Sequence, residues 1–270
     1  LTVCLLVVGK HVPQLSFLGI LLGNDPVFEP EKRIYQRLLA GDQEEAVELL
    51  DAYLEDQPLV KVYDTVLIPA LALAETHWQL GELNDARHQF IMQSLKDMSE
   101  VHHERQRERL AEETAPLPVA EGQADASAPA DPPPPLRVLS APARSEADEV
   151  AALLLSQILD SDGYRVQAIS IGSLASEMGG LFEQQHPDVV CISATAPAAV
   201  MHARYICNQL RDRFPNLTLV VGLWNSRCDL DKAQERIGCG ATVVATLAAA
   251  QSHIQRSPVL ATPPASTRRG

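Results

Sequence analysis

The run Pro187-Asp-Val-Val-Cys-Ile-Ser-Ala-Thr-Ala-Pro197 constrains this chain more than any other stretch. Four consecutive apolar residues, bounded by His186-Pro187 on one side and a loop of small residues on the other, read as a strand covered on both faces. Strands of that kind lie in the middle of parallel sheets. Four more short β-branched or apolar runs, at 136–140, 164–170, 217–222 and 242–245, surround it and alternate with helical patterns, which predicts a five-strand α/β unit. The first of these helices, 146–159, puts Val150, Leu153, Leu154 and Ile158 on one stripe and stops at Gly163. The pattern predicts further helices at 174–185, at 198–214 with Met201, Tyr205 and Leu210 on the core side, and at 230–237. Right-handed crossovers then give strand order 2-1-3-4-5, with any ligand beyond the strand C-termini.

Ahead of this unit, residues 29–113 are helical in pattern throughout. Pro30 opens a helix carrying Ile34, Leu38 and Leu39, which Gly41 ends. Asp42 caps a second, with Glu45 as its capping-box partner. Pro58 begins a third, which runs through Val62, Val66, Leu71 and Trp78 to Gly81 and should kink at Pro69. A fourth starts at Asn84 and carries His88, Ile91, Leu95 and Met98 toward a charged end at His102-His103, which is expected to face solvent. Short connections make these an antiparallel four-helix bundle. Residues 114–135, ending in four consecutive prolines, read as an extended acidic linker, and 257–270 as a disordered tail. The fold class expected is therefore α + α/β: a small helical bundle followed by a flavodoxin-like five-stranded parallel sheet over 136–256.

Charge narrows the partners. A formal net charge of -13 with 21% charged residues, and no basic stripe beyond Arg105-Gln-Arg-Glu-Arg109, excludes a general nucleic-acid binder, which needs clustered Lys and Arg. The five cysteines (Cys4, Cys191, Cys207, Cys228 and Cys239) have no metal-ligand spacing and fall mostly in elements expected to be buried, as in a reducing compartment. No Gly-rich phosphate loop follows a strand, and His186, His202 and His253 form no triad.

The opening Leu1-Thr-Val-Cys-Leu-Leu-Val-Val-Gly9 is an apolar run that stops at Lys10-His11. It is shorter than the ~20 residues that cross a bilayer, and its basic residues follow the apolar run instead of preceding it as in a signal peptide. Two readings stand: the end of a membrane helix with Lys10 at the cytoplasmic interface, which is favoured, or a buried strand. Residues 1–23 are accordingly expected to be the end of a membrane helix and a juxtamembrane segment.

Two resemblances build on these residues. The bundle stretch Tyr63-Asp-Thr-Val-Leu-Ile-Pro-Ala-Leu71 with Trp78-Gln-Leu-Gly-Glu-Leu83, followed by a flavodoxin-like unit, resembles the cobalamin-binding module of light-sensing and corrinoid-dependent proteins. The opening 1–15, together with Leu21-Leu-Gly-Asn-Asp-Pro26 and Tyr35-Gln-Arg-Leu-Leu-Ala-Gly41, is similar to the junction between membrane domain and cytosolic extension in autoinducer-2 exporter family permeases. Together they imply a cytosolic C-terminal region at the inner membrane, whose first partner is its own membrane domain.

The cobalamin resemblance implies an Asp-x-His-x-x-Gly motif after strand one, its His ligating cobalt from below. Here the loop reads Ala143-Arg-Ser-Glu-Ala-Asp-Glu-Val150, so Ala147 stands at the His position and Val150 at the Gly position. Alanine has no donor atom, and a β-branched residue cannot give glycine's close approach. The Glu-His pair of light-sensing members falls on His88-Gln89; His88 is weighed as an upper ligand against the plainer role of a partly buried polar residue, which is expected. After strand four, Gly222-Leu-Trp-Asn225 stands where related folds carry Gly-Gly, and Leu223 is expected to close that space. Trp224 suits either stacking on a flat ligand or loop packing. Ser140, Ser193 and Thr195 suit either a ligand hydrogen bond or capping of the next helix.

The candidate binding residues are thus Trp78, His88, Ser140, Ser193, Thr195, Gly222 and Trp224, with no catalytic or metal set. No cofactor is expected, cobalamin or another tetrapyrrole being the one class left open. The function expected is a non-enzymatic regulatory region of a permease that senses a small ligand or docks a protein partner, with a homo-oligomer also open. The alternative is a soluble cobalamin- or tetrapyrrole-binding signalling protein acting on a transcription regulator. A methyl- or acyl-transfer accessory domain has no positioned acid or base to support it.

Overall fold

The computed structural model describes residues 30–114, 135–172, 185–196, 198–226 and 228–256, together with residue 180. The juxtamembrane segment, most of the 114–135 linker, most of the 174–185 helix, Cys4 and the tail lie outside the described residues.

The bundle comprises α1 (Pro30–Ala40), α2 (Gln43–Asp56), α3 (Leu59–Val62), a π-helical turn (Tyr63–Leu67), α4 (Ile68–Gln79) and α5 (Asp85–Thr114). Gly41 and Gly81 end helices at φ +87° and +75°, conformations that a Cβ would strain. Asp42 caps α2 by accepting from the Glu45 N–H, but the Glu45 carboxylate pairs with Arg37 at 3.0 Å, so the reciprocal half of the expected capping box gives way to an ion pair. Pro69 does not simply kink the third helix. The ring has no N–H to donate, and the backbone widens just before it, where the Ile68 N–H reaches five residues back to Tyr63 O.

The second half runs β1 (Arg137–Pro142), α6 (Glu146–Ser161), β2 (Arg165–Ala168), β3 (Val189–Thr195), α7 (Ala199–Arg213), β4 (Thr218–Trp224), α8 (Leu230–Ile237), β5 (Thr242–Val244) and α9 (Leu247–Gln255). All strand pairs are parallel and the sheet order is β2-β1-β3-β4-β5, as expected. Helix α9 is not among the expected elements, although Leu247, Ala250 and Ile254 fall at helical spacing and are its buried residues; Thr246 caps it by accepting from the Ala249 N–H. On α7 the phase of the expected core face is corrected. Ala199, Ala203, Ile206, Cys207 and Leu210 are buried, whereas Met201 and Tyr205 are 63% and 64% exposed. Small side chains let α7 lie close to the sheet, and that face excludes both larger residues.

Side chains alternate between the two faces of the sheet. Leu139, Val190, Ile192, Val221 and Leu223 pack under α7 and α8. Val138, Val189, Cys191, Val220 and Trp224 pack under α6 and α9, in one core continuous with Ile34, Leu38, Tyr63, Leu67, Ile91 and Leu95 of the bundle. Several polar links cross this junction. Tyr63 Oη donates to Gln157 Oε1 at 2.9 Å, Lys96 Nζ meets Glu149 Oε1 at 2.8 Å, and Asp64 accepts from the first two N–H groups of α9.

His102 and His103 do not face solvent. His102 is 7% exposed beside Asp51 of α2, and His103 lies 3.1 Å from Asp160 of α6, because α5 carries one imidazole to each of these neighbouring helices. The cysteine expectation holds in part: Cys191 and Cys207 are buried, Cys239 half-buried and Cys228 exposed. Burial pushes the Cys191 thiol up to about 12, so it stays protonated. Among the described residues no helix is long and apolar enough to cross a membrane.

Candidate functional site: the crevice beyond the strand C-termini

In a sheet of this order the chain reverses direction between β1 and β3, and the crevice that opens there is the usual ligand position. The loop from β1 into α6 enters it. Ser145 caps α6 in a full capping box with Asp148, and a single carboxylate then organises the crevice. Asp148 Oδ2 accepts from the Arg144 and Ser145 N–H groups, both at 2.9 Å, while Oδ1 accepts from the Thr195 N–H at 2.6 Å and the Thr195 hydroxyl at 2.7 Å. Asp148 is 1% exposed, so a carboxylate buried at this cost is held by four donors and ties the end of β3 to the start of α6. Sequence reasoning passed over Asp148. Its signal was the Ser145-x-x-Asp148 capping spacing.

Ala147 is fully buried against the sheet. The side chain facing inward at the motif position is a methyl group, with Val150 buried one turn later. Ser140, Ser193 and Gly222 share the same face. Ser140 Oγ donates to Ala152 O at 2.9 Å, so this hydroxyl bonds the neighbouring helix instead of capping one or awaiting a ligand. Thr195 is likewise consumed by Asp148. Ser193 Oγ is buried without a partner.

The residue that closes the space beside Gly222 is Trp224, not Leu223. Leu223 points to the opposite face and packs under α7, whereas Trp224, two residues from Gly222 and on its face, is 1% exposed. Its indole folds back onto the glycine: a Cβ built on Gly222 would stand 1.9 Å from Trp224 Cζ2 and 2.1 Å from Cη2. Glycine is needed here for space, not for backbone conformation. Trp224 is therefore neither an exposed stacking platform nor a loop aromatic; it fills the strand-end core, with Nε1 unpartnered.

Trp78 and His88 form a separate group within the bundle. Their rings stack with centroids 4.5 Å apart and 22° between planes. Trp78 Nε1 donates to Asp85 at 2.8 Å, and His88 Nε2 lies 3.1 Å from Glu75 Oε2. His88 is 4% exposed, more deeply placed than expected, and the carboxylate that engages its ring nitrogen is itself 1% exposed. Among the described residues no group of three or more His, Cys, Asp or Glu side chains could hold a metal ion.

The architecture is shared with a solved structure, a monomethylamine corrinoid protein. Residues 30–91 match the B12 binding domain family. The corrinoid protein for monomethylamine from Methanosarcina barkeri superposes with a TM-score of 0.54 at 11% identity, over 82% of this chain and 95% of that one. A cobalamin-binding protein from Desulfitobacterium hafniense DCB-2 gives 0.38 at 11% identity, covering 83% and 96%. The methanol:cobalamin methyltransferase complex of Methanosarcina barkeri gives 0.39 at 14%, covering 87% and 81%. No curated protein matches the chain. The chain carries a cobalamin-binding-like module. Its crevice nevertheless does not fit a corrinoid ligated from the β1–α6 loop: the ligating position is a buried methyl, the loop is tied down by Asp148, and the strand-end space holds the Trp224 ring.

Proposed function

We propose that this chain is a non-catalytic regulatory module of the B12-binding-domain type that works without a corrinoid, its bundle and α/β unit acting as one packed body toward a protein partner. The observation that carries this reading is the self-filled crevice: four hydrogen bonds onto Asp148, a methyl at Ala147 and the Trp224 indole over Gly222. The continuous core supports the second half, since a bundle that shares apolar surface with the sheet transmits displacement of either part to the other.

The setting belongs to the same proposal. The apolar opening and the resemblance over residues 1–41 support a cytoplasmic region at the inner membrane, attached to an autoinducer-2 exporter-like permease domain whose activity it biases. Fractionation of the full gene product tests this: recovery in the inner membrane, resistant to high-salt washing, is expected, and recovery in the soluble fraction would sink it.

A second reading, a soluble cobalamin-binding signalling protein, is favoured by the family match over the bundle and by the Trp78–His88 stack within it. Titration of the full chain with hydroxocobalamin separates the two. The corrinoid-free module leaves the cobalamin spectrum and the melting temperature unchanged. A saturable spectral change with a melting point raised by several degrees, as a ligand at about a hundredfold excess over its Kd produces, establishes the second reading instead.

A further inference from the structure

At the end of the sheet opposite the crevice, two thiols from different elements meet. Cys207 lies on the buried face of α7, between Ala203 and Leu210, and Cys239 sits in the turn from α8 into β5 and packs against the same apolar cluster. The two thiols are in hydrogen-bonding contact and unbridged. Arg211, one turn after Cys207, fixes the approach: its Nε donates to Cys239 O at 2.8 Å, and its Nη1 to Pro215 O at 2.6 Å and Leu217 O at 2.9 Å. The turn is therefore tied, through the carbonyl of one cysteine, to the helix that holds the other.

The backbone supplies an independent observation. Gly238, Cys239 and Gly240 all have positive φ, at +69°, +55° and +68°. A side chain is disfavoured there, and glycine carries no such cost. Cysteine is thus held where a third glycine would suit the turn better, and outliers of this kind cluster at functional positions. A Cβ built on Gly238 or Gly240 would meet nothing within 4 Å, so the turn is open on either side of Cys239. Cys239 is half-buried and Cys207 fully enclosed, so of the pair it is Cys239 that solvent reaches.

We propose that Cys207 and Cys239 are a redox pair that hydrogen peroxide converts to an intramolecular disulfide, pinning the α8–β5 turn to α7. The Cys239 sulfur attacks the peroxide: an S–O bond forms, the O–O bond breaks, and the departing hydroxyl leaves as water with the thiol proton, giving a sulfenic acid. The Cys207 sulfur attacks that sulfenic sulfur; the S–S bond forms, the S–O bond breaks, and the hydroxyl leaves as water with the Cys207 proton. The two thiols are oxidised to one disulfide and both peroxide oxygens are reduced to water. Burial and the adjoining Cys239 sulfur push the Cys207 thiol up, and the Arg211 charge offsets part of this, which makes Cys207 the resolving thiol and not the first to react. In a reducing compartment the dithiol is the resting form and the bridge is transient. The pair stands apart from the crevice and holds whether or not a corrinoid binds there.

The test exposes the full folded chain to hydrogen peroxide at neutral pH, quenches in acid and alkylates the remaining thiols under denaturing conditions. The digest is then mapped by mass spectrometry before and after dithiothreitol. Cys207 and Cys239 are expected to lose alkylation to the same extent and to appear in one linked peptide, restored in full by dithiothreitol, while buried Cys191 stays a free thiol. Exposed Cys228 reports the dose. Recovery of Cys207 and Cys239 as free thiols at a dose that oxidises Cys228 overturns the proposal, as does Cys239 passing to sulfinic acid or bridging to another cysteine. In Cys207→Ala the sulfenic acid on Cys239 loses its resolving partner, and dimedone should trap it several-fold more than in the unsubstituted chain; no increase overturns the division of roles. Should that variant not fold, the digest map of the unsubstituted chain decides alone.

Discussion

The carboxylate of Asp64, in the π-helical turn of the bundle, accepts the backbone N–H of Leu247, the first residue of α9, at 2.6 Å, and that of Ala248 at 3.0 Å. Thr246 supplies the remaining acceptors, its Oγ1 to the Ala249 N–H at 3.1 Å and its carbonyl to the Ala250 N–H at 3.1 Å. The N–H groups of the first three residues of α9, which have no intrahelical acceptor, are thereby satisfied, two of them by a residue more than 180 positions away, and the Ala250 N–H makes the first regular helical bond. Asp64→Ala removes both long-range acceptors and is expected to cost about 1–3 kcal/mol. Thermal unfolding measures the loss, and hydrogen exchange localises it to residues 247–250.

Acid separates this contact from the Lys96–Glu149 pair. Burial raises the Asp64 pKa, and the two backbone hydrogen bonds offset only part of that rise. The folded state therefore holds the Asp64 proton more tightly than the unfolded chain, and this site favours folding more as pH falls through its raised value. Glu149 is the opposite case. Burial pushes it up, but Lys96 and the Ile171 N–H outweigh burial and leave it below its ordinary 4.5. Its stabilisation is complete above 4.5 and is lost as pH falls through the lowered folded value. Glu149→Gln should thus lose stability at neutral pH and flatten the profile below 4.5, whereas Asp64→Asn should flatten it in the reverse sense. Urea midpoints at pH 7 and through the acid range check both signs.

Tyr63 gives the third prediction. Its hydroxyl, in a fully buried side chain, donates to Gln157 Oε1, and Gln157 Nε2 donates on to Ser99 Oγ at 3.2 Å. Tyr63→Phe leaves the Gln157 oxygen buried without its donor, an expected cost of about 1–3 kcal/mol. Adding Gln157→Leu should recover part of that, since removing both polar partners costs less than stranding one. A double-mutant cycle by urea unfolding that shows simple additivity would contradict the relay.

The architecture was legible in the sequence because the periods are clean. The continuous apolar run at 189–192 marks a strand covered on both faces, and the parallel pairing and strand order follow. What failed were questions of azimuth and partner, which local pattern does not encode. Met201 and Tyr205 satisfy helical spacing with Leu210 yet lie off the face set by Ala203, Ile206 and Cys207. Leu223 and Trp224 are adjacent in sequence but belong to opposite sides of the sheet, so which of them closes the crevice depends on strand phase. His102 is buried because α5 packs along neighbouring elements, and Asp148 matters because β3 ends beside it; both are tertiary facts. The departure at Ala147 was visible from the loop sequence, and the structure adds that the methyl is packed away.

That burial makes a restoration experiment informative. Ala147→His places an imidazole where a methyl is fully enclosed, and overpacking of this kind costs about 1–3 kcal/mol. Because Asp148 and Trp224 still fill the crevice, the variant is expected to lose stability without acquiring a shifted hydroxocobalamin spectrum. A spectral change from this single substitution would show that the loop opens on its own.

Gly222 and Trp224 supply the most direct test of the packing. A methyl on Gly222 would lie 1.9 Å from the indole, against the roughly 3.5–4.0 Å at which carbon atoms attract, so Gly222→Ala must displace the ring or the strand. The cost expected is about 1–3 kcal/mol, and the Trp224→Ala cavity costs about 3–5 kcal/mol. Combined, the two should be less harmful than their sum, because the new methyl enters the space the indole vacated and no longer meets a ring. The coupling expected lies in the range of about 0.5–3 kcal/mol for residues in contact. Urea unfolding of the parent, both single variants and the double variant measures it; additivity within about 0.5 kcal/mol would mean that the indole rests elsewhere than on Gly222.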